Sequence, residues 1–219
     1  MKHLTSTSPG FTIVELLIST AVFATVLLLS TFGLLQIGRT YYKGVTSNRT
    51  QETARIILDE VADAIRFGSG TPAVPAQAGG GTPGMYCAGG KRFSYLRARQ
   101  LVEGAPNGTQ ARHVLVVDDV GTCSASTPAQ NLSNPSVVLT PGSRELMNTR
   151  MRLTDFSVTP VGGTTNLYDI RVRVVSGDEN QLVDLIGADG IRESCVNERT
   201  GSQFCAASEL STVVEKRIK

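Results

Sequence analysis

An α+β chain with one long N-terminal helix followed by an antiparallel β-sheet head is predicted by three observations. Proline is absent from Phe11 to Phe67, and that stretch keeps helical spacing of apolar residues throughout its second half. Gly- and Pro-rich residues 68–90 then interrupt it. Beyond them lie short β-branched runs separated by Gly, Pro, Asn and Ser clusters, the pattern of strands joined by turns.

The first element is apolar. From Phe11 to Gly38 the only charged side chain is Glu15, giving about 28 residues against the roughly 20 that cross a bilayer as a helix. A secretory signal has an apolar core of roughly 7–15 residues, so this run is too long for one. Lys2 and His3 precede it while Arg39 and Lys43 follow, a balance that sets no orientation. A carboxylate inside such a helix costs a few kcal/mol and marks a functional contact. Residues 39–67 continue the helix with mixed polarity: Ala54, Leu58, Val61 and Ile65 share one face, and Arg49, Glu52, Asp59, Asp63 and Arg66 occupy others. One helix of about 57 residues, about 85 Å at 1.5 Å per residue, fits the whole stretch.

The head, 68–219, opens with residues 68–90 read as a loop. Strands are expected in HVLVVDDV from His113, SVVLT from Ser136, MRLTDFSV from Met151 and NLYDIRVRVVSG from Asn166, with a last one within Glu209 to Ile218. Tyr168, Ile170, Val172 and Val174 alternate with Asp169, Arg171 and Arg173, as in a half-buried antiparallel strand. The apolar phase slips between Leu153 and Phe156, which predicts a bulge at Thr154–Asp155, and Val161 to Thr165 closes a hairpin. Four cysteines without a CxxC pair suit disulfides rather than zinc and imply an oxidising compartment. Cys195 and Cys205 bracket a short loop before the last strand, and Cys87 and Cys123 flank the first part of the sheet. The expected pairs are therefore Cys87–Cys123 and Cys195–Cys205.

Candidate chemistry is sparse. His3 and His113 are the only histidines and form no nucleophile–base pattern, so no catalytic role, cofactor or metal is expected. The glycine clusters lack the Lys-Ser or Lys-Thr of a phosphate loop. Lys91, Arg92, Phe93, Tyr95, Arg97 and Arg99 interleave cations with aromatics, as single-stranded DNA contact requires, against the plainer reading of an edge strand with solvated arginines. Ser176 to Asn180, with Asp184 and Asp189, offers oxygen ligands but not EF-hand spacing, and reads as a polar turn. The net charge of +2 points to no polyanionic partner for the whole chain.

Gly10-Phe11-Thr12-Ile13-Val14-Glu15-Leu16-Leu17 resembles the type IV prepilin signature: a short polar leader, a Gly-Phe junction and a glutamate at the fifth position after it. The resemblance implies a pilin fold, removal of residues 1–10 by a membrane prepilin peptidase, and methylation of the new amine of Phe11. It further implies that helix 11–38 sits in the inner membrane before assembly. Later it would leave lipid for the core of an extracellular filament, where Glu15 meets the amine of an adjacent subunit. Partners would be the major pilin, other minor pilins and the inner-membrane assembly platform. Many abundant pilins carry a proline in the membrane segment. Its absence here leans towards a minor pilin, or towards a pseudopilin of a type II secretion system; a DNA-binding uptake pilin is the third reading. The tail from Gly201 also resembles the ending of W-like minor pilins.

Overall fold

The computed structural model describes residues 10–68, 72, 82–106, 108–134, 136–163, 166–184, 192–196 and 204–217. Residues 1–9 of the expected leader, most of the loop before residue 84, Thr164 and Thr165 of the hairpin, and Asp189 lie outside them. The chain divides into two compact units, Met1–Tyr41 and Tyr42–Lys219.

Helix α1 runs from Ile13 to Phe67. In the first unit every described residue from Gly10 to Ile37 is exposed. This part holds the one helix, among the described residues, that is long and apolar enough to cross a membrane. Its hydroxyls are satisfied locally: Ser19 Oγ donates to the Glu15 carbonyl at 2.7 Å, Thr25 Oγ1 to Val22 at 2.8 Å and Thr31 Oγ1 to Leu27 at 2.8 Å. Such back-bonding along a helix gives each of these hydroxyls a partner without a distant residue.

In the second unit the same helix buries Thr50, Thr53, Ala54, Ile57, Val61, Ala62, Ala64 and Ile65. Steps of three and four residues keep these on one face. Ala54, Ile57, Val61, Ala62, Ala64 and Ile65 join one core cluster with residues from two sheets.

The strands are β1 (Gly84–Ala88), β2 (Lys91–Tyr95), β3 (Gln100–Leu101), β4 (Gln110–Ala111), β5 (Leu115–Asp119), β6 (Arg144–Glu145), β7 (Met151–Pro160), β8 (Leu167–Ser176), β9 (Leu182–Asp184), β10 (Arg192–Cys195) and β11 (Ala206–Glu215). One sheet has the order β1-β2-β5-β6, a second β11-β8-β7-β3-β4, and β9 pairs with β10. Pairing is antiparallel except between β3 and β4. β7 and β8 form the expected hairpin, and Tyr168, Ile170, Val172 and Val174 of β8 are all buried. The register shifts between Leu153 and Asp155, where the bulge is predicted. The Thr154 carbonyl there accepts from Arg97 Nε at 3.0 Å.

Two strand expectations are corrected. Residues 84–88, read as part of a loop, form β1, because Met85, Tyr86 and Cys87 pack inside despite the Gly-rich sequence around them. SVVLT from Ser136 is not a strand. Val138 is 91% exposed, and Thr140 uses its hydroxyl to bond Asp118 instead of joining a ladder. Residues 120–143 cover the outer face of β2, where Ser94 Oγ accepts from the Gln130 amide at 3.0 Å.

At the end of α1 the helix and the β1–β2 turn pass backbone to backbone. A Cβ on Gly68 would stand 2.1 Å from the Cα of Gly89, and one on Gly89 2.5 Å from the Cα of Gly68. Gly89 also has a φ of 60°, a left-handed conformation that glycine adopts without steric cost.

Candidate functional site

The residues singled out from the sequence fall into separate places. At the start of α1, Thr12 and Glu15 form a reciprocal cap: the Glu15 amide donates to Thr12 Oγ1 at 3.2 Å, and the Thr12 amide donates to Glu15 Oε2 at 3.1 Å. Thr12 Oγ1 also donates to Glu15 Oε2 at 3.0 Å. This is a capping box, which satisfies two of the amides that every helix start leaves without partners. The Thr-x-x-Glu spacing carries that signal in the sequence, yet Thr12 is absent from the residues expected to matter. Gly10 and Phe11 just before it are exposed, Phe11 to 70%, and nothing lies within 4 Å of where a Cβ on Gly10 would stand.

The Lys91–Arg99 segment is placed otherwise than nucleic-acid contact requires. Phe93 and Tyr95 are buried. Tyr95 packs its ring edge-on to Phe156 at 5.0 Å between centroids, and Tyr86 lies 6.0 Å from Phe93. Burial pushes the phenols of Tyr86 and Tyr95 up from their ordinary values. Arg92 donates from Nε to Asp118 Oδ1 at 3.0 Å, from Nη2 to Oδ2 at 2.6 Å and from Nη1 to the Pro128 carbonyl at 2.8 Å. Arg97 is buried on the bulge, and Lys91 pairs with Glu60 at 2.7 Å, leaving Arg99 partly exposed. Lys91–Tyr95 is an inner strand between β1 and β5, and its two rings, expected to stack on bases, lie in the core.

Asp118, which the sequence reading passed over, is the acid under this strand. Burial alone would raise its carboxyl, but bonds from Arg92, Gln130 and Thr140 outweigh that and hold it below the usual carboxylate range. A charged residue directly after the apolar run Val114 to Val117 carries the signal in the sequence, since a buried acid needs a buried partner. Glu60 on α1 is likewise held low, chiefly by Lys91, with Arg144 Nη2 donating to its second oxygen at 2.7 Å.

Both expected disulfides are formed, Cys87–Cys123 with Cα atoms 5.5 Å apart and Cys195–Cys205 with 5.7 Å. The first ties β1 to the covering segment 120–143, and the second ties β10 to the start of β11. The turn after β8 is polar, as expected: Asp178 precedes a single 3-10 turn, Glu179–Gln181, and its amide donates to Gln181 Oε1 at 3.1 Å. Glu179 accepts from Thr109 at 3.0 Å. No group of His, Cys, Asp and Glu able to hold a metal occurs among the described residues. No family model matches the chain, and neither a curated protein nor a solved structure does.

Proposed function

We propose that the chain is a minor pilin, a structural subunit that primes a type IV pilus or sits near its tip, processed between Gly10 and Phe11. The observation that carries this reading is a bare apolar helix, exposed from Ile13 to Ile37, whose single carboxylate lies in its first turn next to an open Gly-Phe junction. A surface of that kind has to be covered by lipid or by other helices, and filament assembly supplies the two in succession. In this reading the exposed Glu15 carboxylate receives a neighbouring subunit's Phe11 amine, freed by cleavage. The helix dipole favours the same placement, since its N-terminal end attracts negative charge.

Co-expression with an active prepilin peptidase tests the reading. Intact-mass measurement is expected to find a species beginning at methylated Phe11, and Gly10→Val to abolish it. Recovery of the full-length chain with peptidase present overturns the proposal. Glu15→Val is expected to insert into membranes and be missing from filaments; incorporation at the wild-type level overturns the role given to the carboxylate.

A further inference from the structure

Within the second unit a cavity of about 360 Å³ opens between α1, the turn before β7 and the turn after β8. That volume is at the small end of ligand pockets, which run from roughly 300 to 1,000 Å³. Two arginines from different elements line it, Arg49 on the helix and Arg150 on the turn. Among the described residues neither guanidinium has a hydrogen bond or ion pair. This sets them apart from Arg92, Arg144 and Arg171, each held by an acid.

The backbone under Arg150 is built rather than incidental. Its φ is 66°, a conformation uncommon for a residue with a side chain. It is pinned there by its amide donating to the Leu101 carbonyl at 2.9 Å and by Gln100 Nε2, which reaches the Arg150 carbonyl at 3.5 Å. A position that glycine would fill without strain instead carries an exposed arginine at the cavity's lining. Strain held by its surroundings in this way is typical of binding sites.

The rest of the lining narrows the ligand. Phe204 is 47% exposed, with its ring tilted at 52° to Tyr42, and gives the cavity an apolar wall. Asp178, Gln181 and Thr46 supply polar atoms. Among the described lining residues the two guanidinia outnumber the one carboxylate, so a single negative charge is favoured, while Asp178 disfavours a dianion such as phosphate and accepts from hydroxyls. An aromatic wall, two arginines and several hydroxyl partners in a space this small fit a monosaccharide acid. We infer that this cavity binds a uronic-acid sugar, its carboxylate on Arg49 and Arg150 and its ring against Phe204. The inference stands whether or not the chain assembles into filaments.

Saturation-transfer NMR on the full chain, held in a detergent without a sugar headgroup, tests it with glucuronate, glucose and acetate as probes. Glucuronate is expected to bind at least tenfold tighter than glucose and to be displaced weakly by acetate. Arg49→Gln and Arg150→Gly are each expected to weaken glucuronate at least tenfold. Because Arg150→Gly relieves the left-handed backbone, it is expected to melt no lower than the native chain, which separates lost binding from lost folding. Equal affinity for glucose, displacement by acetate as strong as by glucuronate itself, no detectable glucuronate binding, or unchanged binding in both variants overturns the inference.

Discussion

The two units satisfy their polar groups by opposite means. In the first, the side-chain hydrogen bonds of Thr12, Ser19, Thr20, Thr25, Thr31 and Thr40 all reach three or four residues along the same helix. In the second, the decisive bonds join residues far apart in sequence: Arg92 to Asp118, Asn148 to Thr53, Lys91 and Arg144 to Glu60. Apolar groups divide the same way. Ile57, Val61 and Ile65 of α1 are buried in the second unit, while Leu16, Leu28 and Leu34 of the same helix are exposed in the first. Hydrophobicity alone therefore does not locate a core. The most apolar stretch is exposed along its described length and its hydrogen bonds are local, whereas the head stands on contacts that fail together.

The sharpest way to break this contrast is to cut a distant bond. Asp118→Ala leaves Arg92, whose side chain is 10% exposed, charged and unpaired, and is expected to cost about 3–5 kcal/mol in urea unfolding. Acid does the same reversibly. Asp118 titrates below its unfolded value near 3.9, so its contribution is complete above that pH and is lost as pH falls through the lower folded value. Glu60 has the same sign. Stability is expected to be level above about pH 5 and to fall below about pH 4, with a shallower fall in Asp118→Asn. A fall beginning near neutrality would assign it to other groups.

A paired truncation sharpens the apolar half of the comparison. Ile57→Ala is expected to destabilise the head by about 2–5 kcal/mol, and Leu28→Ala, which removes similar bulk from the exposed half, to shift the same transition by less than about 0.5 kcal/mol. Comparable losses from both would show that the apolar segment does support the head. The smallest effect belongs to the local bonds. Thr12→Ala removes the cap and is expected to cost about 1 kcal/mol, read as fraying of the first helical turn by NMR in micelles, with the head's melting temperature unchanged.

The same contrast explains what was legible in the sequence. Local rules located α1 to within two residues of its expected start, the alternation of β8, the bulge after Leu153 and the β7–β8 hairpin, because each is dictated by neighbours along the chain. Glu15 was found as an exception to its apolar surroundings, but Thr12 was not, although the two form one motif. Errors gathered where distant partners decide. SVVLT has strand propensity, yet Thr140 is claimed by Asp118, and the chain there lies over a sheet instead of joining it. KRFSY reads as cations with stacking rings until the core on one side and the segment carrying Pro128 and Gln130 on the other bury its two faces. The cavity drew no attention because Arg49, Arg150 and Phe204 come from three distant segments.

The crossing of Gly68 and Gly89 holds information of another kind. A side chain at either position pushes the helix end away from the turn, so the two glycines are a single lesion site spread over two codons. Once one has been replaced and the gap opened, replacing the other removes nothing that is still intact, apart from the ease of the left-handed turn at Gly89. Their costs must therefore fail to add, and no compensating side chain can restore the contact, since what is recognised there is the absence of one.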